Sequence, residues 1–349
     1  MTEDQEALQG GIRSFCGVAV RPWTRRAGLR DAGGVDGGTL AEVGTSGVFG
    51  LRLAESDGGV GPGAADAVLA FEELGRALVP GPLVWTNLAA GLVDGAATGE
   101  TVVGGVERHD HSGLVEHLDT IDALVVLDDD GIHRVDPSDL AGQSIDTPFD
   151  PLVPVHRVDD LLAGERIADA ETVAEWRRVG ATLAAAQLLG IAEGATDLAV
   201  AYASGREQFG RPVGSFQAVK HLCADMVVRN EVARAAVYAA GVTIDDPAVG
   251  PVDRAVASAK LMANEAALGN AKSCVQVHGG MGYTWEVDAH LFFKRAYALE
   301  PVFRLAPRRV RRPHGRARGR RPRRGLAAEL GIGPPWSGRT SRPPVSSTS

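Results

Sequence analysis

The residues at 202–226, YASGREQFGRPVGSFQAVKHLCADM, include the types that hold a phosphate and a planar ring. Arg206 supplies a permanent cation and Phe209 an aromatic ring, and the Phe-Gly pair and the following Pro predict a turn between two helices. A cation and a ring at such a junction suit a phosphate and a stacked base. A plain helical hairpin, in which Arg206 pairs with a carboxylate, explains the same residues without a ligand.

A second candidate site is the run QVHGGMGYT at 276–284. Because glycine has no side chain, Gly279 and Gly280 allow a sharp turn or a close approach of the backbone to a ligand. His278 beside them has the chemistry of a general base, but we favour a structural role for it. Glu286 is likewise predicted to be structural, pairing with a cation or with a helix start.

Two helical regions and one β region must position these groups. Apolar residues recur every three or four positions over 65–78, which predicts an amphipathic helix. Two apolar runs flank Asp129-Asp130-Gly131, as strands joined by a tight turn would. Helical spacing returns after Gly164 and continues to Gly279. We predict an N-terminal helical domain at 1–100, a middle β domain at 101–165, a C-terminal helical bundle at 166–303 and a tail at 304–349.

Composition limits the class of protein. A chain of 349 residues with 44% hydrophobic content can bury at least one large core, so we expect a globular protein. The three cysteines are odd in number and far apart, which supports neither a disulfide framework nor a zinc site, and we predict no bound metal. The acidic N-terminus has no long apolar run, and no stretch reaches about 18 apolar residues. We therefore predict a cytoplasmic protein with no membrane association.

The charge is unevenly distributed. Residues 304–349 carry 13 Arg and one acidic residue, against 23 basic and 43 acidic residues in 1–303. The excess of acidic residues in 1–303 does not favour nucleic-acid binding, and we predict none. The tail is predicted to be disordered, and one interpretation makes it a basic arm for a nucleic acid or an acidic partner. Our preferred hypothesis is that a frameshift near Phe303, in a GC-rich gene, has replaced the true C-terminus. Resequencing of the gene tests it, because an intact reading frame with coding-like codon usage would contradict the hypothesis.

Three motifs in order along the chain resemble those of the acyl-CoA dehydrogenase family. The run RxQFGxPxxxFQAVKHxxADM at 206–226 is similar to a signature of its C-terminal helical domain, and the run at 276–284 to its glycine turn. Phe71 to Arg76 resembles its helix with EELGR. The resemblance implies a mostly α fold with a small central β domain: an N-terminal helical domain, a β-barrel-like middle domain and a C-terminal four-helix bundle.

The resemblance also implies FAD as the cofactor, extended between subunits. Residues in 206–217 are implied to meet its pyrophosphate and adenosine, and residues in 276–280 to hold the dinucleotide from the neighbouring subunit. The chain is therefore expected to form at least a dimer, as a homo- or hetero-oligomer with another subunit of the family. The residues assigned to FAD in this way are Arg206, Gln208, Phe209, Phe216, Gln217, Gln276, Gly279 and Gly280.

The reaction implied by the resemblance is α,β-desaturation of an acyl-CoA thioester, with electrons passed to an electron-transferring flavoprotein. It needs a carboxylate base, which the family places at positions that fall near Arg304 or Gly180, and neither residue is acidic. Glu300 is the nearest carboxylate and our candidate catalytic residue. The chain also departs from the family at 101–165, which contain no tryptophan, and at 53–59, which lack a Pro and a Tyr.

Two hypotheses about function follow. The chain is either a complete FAD-dependent acyl-CoA dehydrogenase or a non-catalytic subunit of a heteromeric one, which completes the FAD site of a catalytic partner. The first is our prediction and the second is the alternative. The missing base near Arg304 is explained either by a frameshifted C-terminus or by a subunit that never carried it, and the intact signature at 206–226 is compatible with both hypotheses.

Overall fold

The computed structural model describes residues 1–19, 37–109 and 112–303, apart from residues 55, 57, 58, 60 and 62. These residues belong to one compact unit. Our predictions for the tail at 304–349, and the base position near Arg304, lie outside the described residues. The boundaries at 100 and 165 mark changes of secondary structure inside the compact unit and stay predictions as domain limits.

Helices form the N-terminal part of the unit. The helix predicted over 65–78 is confirmed, because a helix spans Ala64–Arg76 and buries Phe71 and Leu74 completely. The helices described here are α1 (Glu3–Ala19), α2 (Gly37–Thr45), α3 (Ala64–Arg76) and α4 (Leu83–Ala89).

Short strands form the middle of the unit. They are β1 (Val103–Glu107), β2 (Gly113–Glu116), β3 (Ala123–Leu127), β4 (Gly131–Val135), β5 (Gly142–Ser144), β6 (Val155–Val158) and β7 (Glu165–Asp169). One sheet has the order β1-β3-β4-β7, with β1 and β3 parallel and the other pairs antiparallel. An antiparallel sheet has the order β2-β6-β5. The predicted strand–turn–strand is confirmed, since Leu124 of β3 pairs with Val135 of β4.

The expected barrel-like arrangement of these strands is corrected by the structure. A barrel requires strands that pair continuously until the sheet closes on itself. Among the described residues, strands of three to five residues form separate open sheets instead. The rest of the predicted fold class, mostly helical with a small central β region, is confirmed.

Long helices form the C-terminal part: α5 (Ala170–Gly205), α6 (Gln217–Asp245), α7 (Val252–His278) and α8 (Ala289–Leu299). Asp169 begins α5 by accepting a hydrogen bond from the backbone N–H of Thr172, which satisfies a free donor of the first turn. Of the described helices, α5 alone is long and apolar enough to cross a membrane. However, 83% of the apolar stretch of this helix is buried inside the protein, as in the core helix of a bundle.

Glycines let α3 and α5 cross in backbone contact. A Cβ atom at Gly190 of α5 would lie 1.8 Å from the backbone oxygen of Glu72, and one at Gly75 of α3 would lie 2.1 Å from that of Gln187. Neither contact leaves room for a side chain. The crossing therefore depends on glycine on both helices.

The EELGR motif of α3 holds neighbouring helices together through buried carboxylates, a role that its sequence does not indicate. Glu72 and Glu73 are each 1% exposed. Glu73 accepts two hydrogen bonds from Arg13 of α1, at 2.9 and 2.6 Å, and Glu72 accepts one from the Tyr238 hydroxyl of α6 at 2.7 Å. Buried carboxylates need such partners, and these tie α3 to α1 and α6. Arg76 continues the network by pairing with Glu193 of α5 at 3.0 Å.

Candidate functional site

A β-hairpin at the end of α5 carries most of the predicted cofactor residues. Its strands are β8 (Glu207–Gln208) and β9 (Arg211–Pro212), which pair antiparallel. Phe209 and Gly210 join them with φ of 53° and 74°. Two successive positive φ angles are typical of the type I′ turn, whose twist matches that of a hairpin.

Phe209 at the tip of this hairpin has a backbone conformation that is unusual for phenylalanine. Left-handed backbone is rare for a bulky residue, and strained residues of this kind cluster at functional sites. The side chain is also 92% exposed, so burial does not account for it. Its ring meets that of Phe216 edge to face at 6.2 Å, and Arg211 lies 4.2 Å above the Phe216 ring. The hairpin thus presents an exposed aromatic surface flanked by a cation.

Arg206 lies at the base of the hairpin with an exposed side chain. Its backbone is fixed, since its N–H donates to Tyr202 at 2.8 Å and its carbonyl accepts from Val213 at 2.7 Å. Within the described part of the chain its guanidinium has no ion pair, which removes the hairpin explanation based on a paired arginine. The positive charge is available to an anion.

The glycine turn lies at the same end of the bundle as the hairpin. The Tyr202 ring of α5 stacks on the His278 ring of α7 at 4.2 Å between centroids, which joins the two segments. His278 is 3% exposed and its Nδ1 donates to the carbonyl of Cys274 at 2.8 Å, so the predicted structural role fits better than that of a base. Cβ atoms placed on Gly279 and Gly280 would meet no atom within 4 Å. This backbone is open to a ligand.

The predicted cofactor residues are thus accessible, and their role in holding FAD stays a prediction. Phe216 is half-buried, and the others are exposed: Arg206, Gln208, Phe209, Gln217, Gln276, Gly279 and Gly280. Gln276 also lines a cavity of about 400 Å³ between α7 and α8. Trp285 and Lys294 also line this cavity, and the Lys294 ammonium lies 4.7 Å from the centre of the indole ring.

Of the two positions where a base was expected, only Gly180 lies within the described residues, and it provides no carboxylate. Gly180 lies on α5, and a Cβ atom there would be 2.6 Å from the ring of Phe303. Phe303 in turn packs on Trp85 of α4 at 4.5 Å between centroids. The candidate base Glu300 is half-buried at the end of α8 and acts electrostatically on Lys260, whose pKa burial lowers to about 7 while the Glu300 charge opposes that shift.

A buried ion pair that sequence reasoning missed joins the β region to α8. Arg295 donates through Nε to Asp150 and through Nη1 to the carbonyl of Val79 at 3.1 Å, and both charged residues are buried. Glu116, at the end of β2, is half-buried beside them. The pKa of Glu116 is raised to about 7, mainly because of burial; the Arg295 charge opposes this rise, and the Asp150 charge contributes to it. Burial and the Arg295 charge lower the pKa of His117 to about 3.

Glu116 should make folding stability depend on pH. An acid whose pKa rises on folding from 4.5 to about 7 destabilises the folded state as pH rises through that range. As the pH rises from 5 to 8, we expect the free energy of unfolding of Glu116→Gln to increase relative to that of the wild type by about 1–3 kcal/mol. Chemical denaturation at both pH values measures this, with the exposed Glu165→Gln as control. Parallel pH profiles for wild type and Glu116→Gln would contradict the expectation.

Comparison with known protein families gives two matches that together span most of the described chain. Residues 2–100 match the model of the acyl-CoA dehydrogenase N-terminal domain, and residues 173–302 match that of the C-terminal domain. The β region between them falls outside both matches.

Curated relatives from mycobacteria align along most of the chain. Acyl-CoA dehydrogenase IpdE2 of Mycobacterium tuberculosis is 34% identical over 325 residues, covering 89% of this chain and 96% of the relative. Acyl-CoA dehydrogenase FadE34 of the same organism is 33% identical over 86% of this chain, which spans only 46% of that longer protein.

Solved structures share the fold. The ChsE4-ChsE5 complex from Mycobacterium tuberculosis has a TM-score of 0.72 at 22% identity, covering 86% of this chain and 94% of the matched chain. Butyryl-CoA dehydrogenase from Megasphaera elsdenii has a TM-score of 0.71 at 21% identity, with coverage of 86% and 94%.

Proposed function

Because the chain belongs to the acyl-CoA dehydrogenase family, we propose that it is a subunit of an FAD-dependent enzyme that desaturates an acyl-CoA thioester. In this proposal it presents its hairpin and glycine turn to FAD shared with a neighbouring subunit, and the electrons leave to an electron-transferring flavoprotein. The observation that carries the proposal is the accessible end of the bundle, where Arg206, Phe209 and the open Gly279-Gly280 backbone lie together.

The residues at this end fit FAD chemically. Arg206 is free to neutralise a pyrophosphate and donate hydrogen bonds to it. The exposed ring of Phe209 offers a flat apolar face to a base or ribose, and the Gln208 and Gln276 amides can both donate and accept. Backbone at Gly279 and Gly280 allows a bulky phosphate to approach. FAD, when bound, supplies the hydride acceptor of the reaction.

Within this function we infer that the partner subunit supplies the base. A glycine at 180 cannot take a proton, and the space beside it holds the ring of Phe303. The partner of this proposal is another acyl-CoA dehydrogenase subunit. The two-component ChsE4-ChsE5 complex, which shares the fold, is compatible with a site divided between units.

A complete enzyme with Glu300 as its base is the second candidate function. The observation that favours it is the half-buried position of Glu300 at the end of α8, within electrostatic reach of Lys260. On this alternative the chain alone would bind FAD and oxidise an acyl-CoA.

We expect Arg206→Ala to weaken FAD binding by about 10–100-fold, because a charge-assisted hydrogen bond contributes about 1.5–3 kcal/mol. The measurement is flavin per protein after purification of the full chain, alone and co-expressed with a second acyl-CoA dehydrogenase subunit. Flavin that appears only in the co-expressed complex supports the divided site, whereas flavin that is bound by the chain alone and reduced on addition of an acyl-CoA supports the complete enzyme.

The matched control for this experiment is Arg254→Ala, which removes an exposed arginine near the opposite end of α7. It should retain as much flavin as the wild type. Equal retention by Arg206→Ala, or the absence of flavin from every preparation, would contradict the proposed function.

A further inference from the structure

Two aromatic rings fill the region beside Gly180, where α4, α5, β1 and the residues after α8 come together. The centroids of Trp85 and Phe303 lie 4.5 Å apart with a tilt of 40° between the rings. Trp85 is 8% exposed and Phe303 3%. We call these two residues the aromatic plug.

Glycines on two different elements make room for the plug. A Cβ atom at Gly105 of β1 would lie 2.2 Å from the Trp85 ring, and one at Gly180 of α5 would lie 2.6 Å from the Phe303 ring. Any side chain at either position would displace a ring. Each glycine therefore leaves the space that one ring occupies: Gly105 faces the ring of Trp85, and Gly180 faces the ring of Phe303.

The backbone at Phe303 supports a specific placement of its ring. Its φ is 49°, a left-handed value that a bulky residue adopts only when its surroundings enforce it. Packing of the ring against Gly180 and Trp85 supplies that enforcement. The ring is therefore held where it is by contacts on two sides.

We propose that the aromatic plug closes this chain's own acyl site, so that an acyl chain cannot enter beside Gly180. The inference rests on the proposed function, because the position of the reaction centre comes from the base positions of the family. The rings occupy apolar space, which is the kind of space an acyl chain needs. Removing a ring leaves an apolar cavity, and such a cavity takes up apolar ligands.

The first test is calorimetric titration of the full chain with octanoyl-CoA and with coenzyme A alone. We expect Phe303→Ala to bind octanoyl-CoA at least tenfold more tightly than the wild type, with no difference for coenzyme A. Phe49→Ala truncates another ring that is 1% exposed, in the N-terminal part of the unit, and should behave like the wild type. Equal affinity of wild type and Phe303→Ala for octanoyl-CoA, including no binding by either, overturns the proposal.

The second test needs no ligand and covers the case in which Phe303→Ala does not fold. Gly180→Ala should lower the Tm by about 3 °C or more, since its methyl group overlaps the ring. In a Phe303→Leu background the same change should have a clearly smaller effect, because contacting residues are energetically coupled. Additive effects of the two changes overturn the plug.

Failure of this inference and failure of the proposed function have different signatures. The plug concerns binding of octanoyl-CoA by the chain itself, whereas the proposed function concerns flavin held at the Arg206 end with a partner. A wild-type chain that binds octanoyl-CoA as tightly as Phe303→Ala does, while its complex retains flavin, contradicts the plug alone. A chain that never contributes to flavin binding contradicts the proposed function whatever the titration shows.

Discussion

Asp150→Ala should lower the free energy of unfolding by about 3–5 kcal/mol, because it leaves a buried arginine without its counter-charge. Asp150 is 2% exposed and Arg295 5%. Arg295 keeps its hydrogen bond to Val79, while its Nη2 already has no hydrogen-bond partner among the described residues. Loss of Asp150 therefore leaves the buried guanidinium with its hydrogen bond to Val79 but without its paired carboxylate, and urea denaturation of wild type and variant measures the difference.

The control for this prediction is Asp159→Ala, which breaks a pair with Arg157 in which both side chains are more than half exposed. An exposed pair contributes about 0–1 kcal/mol, so the control should unfold like the wild type within that range. Replacing both buried partners by Asp150→Leu and Arg295→Met should recover much of the lost stability. A loss below 1 kcal/mol for Asp150→Ala would show that water or another group compensates the arginine.

The Asp150–Arg295 pair illustrates what the sequence could not provide. Its partners are 145 residues apart, and no periodic pattern links a loop before β6 to a residue in the middle of α8. The apolar periodicity of α8 indicates a helix but not which charged residue faces inward. Long-range polar contacts depend on tertiary packing, so the role of Glu116 and His117 beside the pair was missed for the same reason.

Local features of the fold followed well from the sequence. The apolar spacing of α3 and the pattern of β3, turn and β4 depend on neighbours within a few residues, and both were predicted. The arrangement of the strands in separate open sheets was not, because the order β1-β3-β4-β7 pairs strands across long connections. Strand patterns identify strands but not their partners.

For the candidate site, the sequence located the segments but not their conformation. Arg206, Phe209 and the glycine turn were found by residue type and by resemblance. The left-handed backbone of Phe209 had no sequence signal, since phenylalanine does not favour it. Likewise, nothing adjacent to Trp85 in the chain indicates its contact with Phe303, which requires α4 and the end of α8 to meet.

Gly190→Ala should destabilise the protein by about 3 kcal/mol, because its methyl group would overlap backbone rather than a movable side chain. The new Cβ atom would lie 1.8 Å from the backbone oxygen of Glu72 and 2.6 Å from the backbone nitrogen of Arg76. Helices α3 and α5 would have to separate, which weakens the Arg76–Glu193 pair as well.

The same substitution at Gly11 is the matched control for the helix crossing. Gly11 is exposed on α1, and a Cβ atom there would meet nothing within 4 Å. Alanine is a better helix former than glycine by about 1 kcal/mol, so Gly11→Ala should stabilise the protein slightly. Thermal unfolding should therefore move in opposite directions for the two variants. If Gly190→Ala unfolded at or above the wild-type temperature, α3 and α5 would not cross in backbone contact, and the buried Glu72 network would need another geometry.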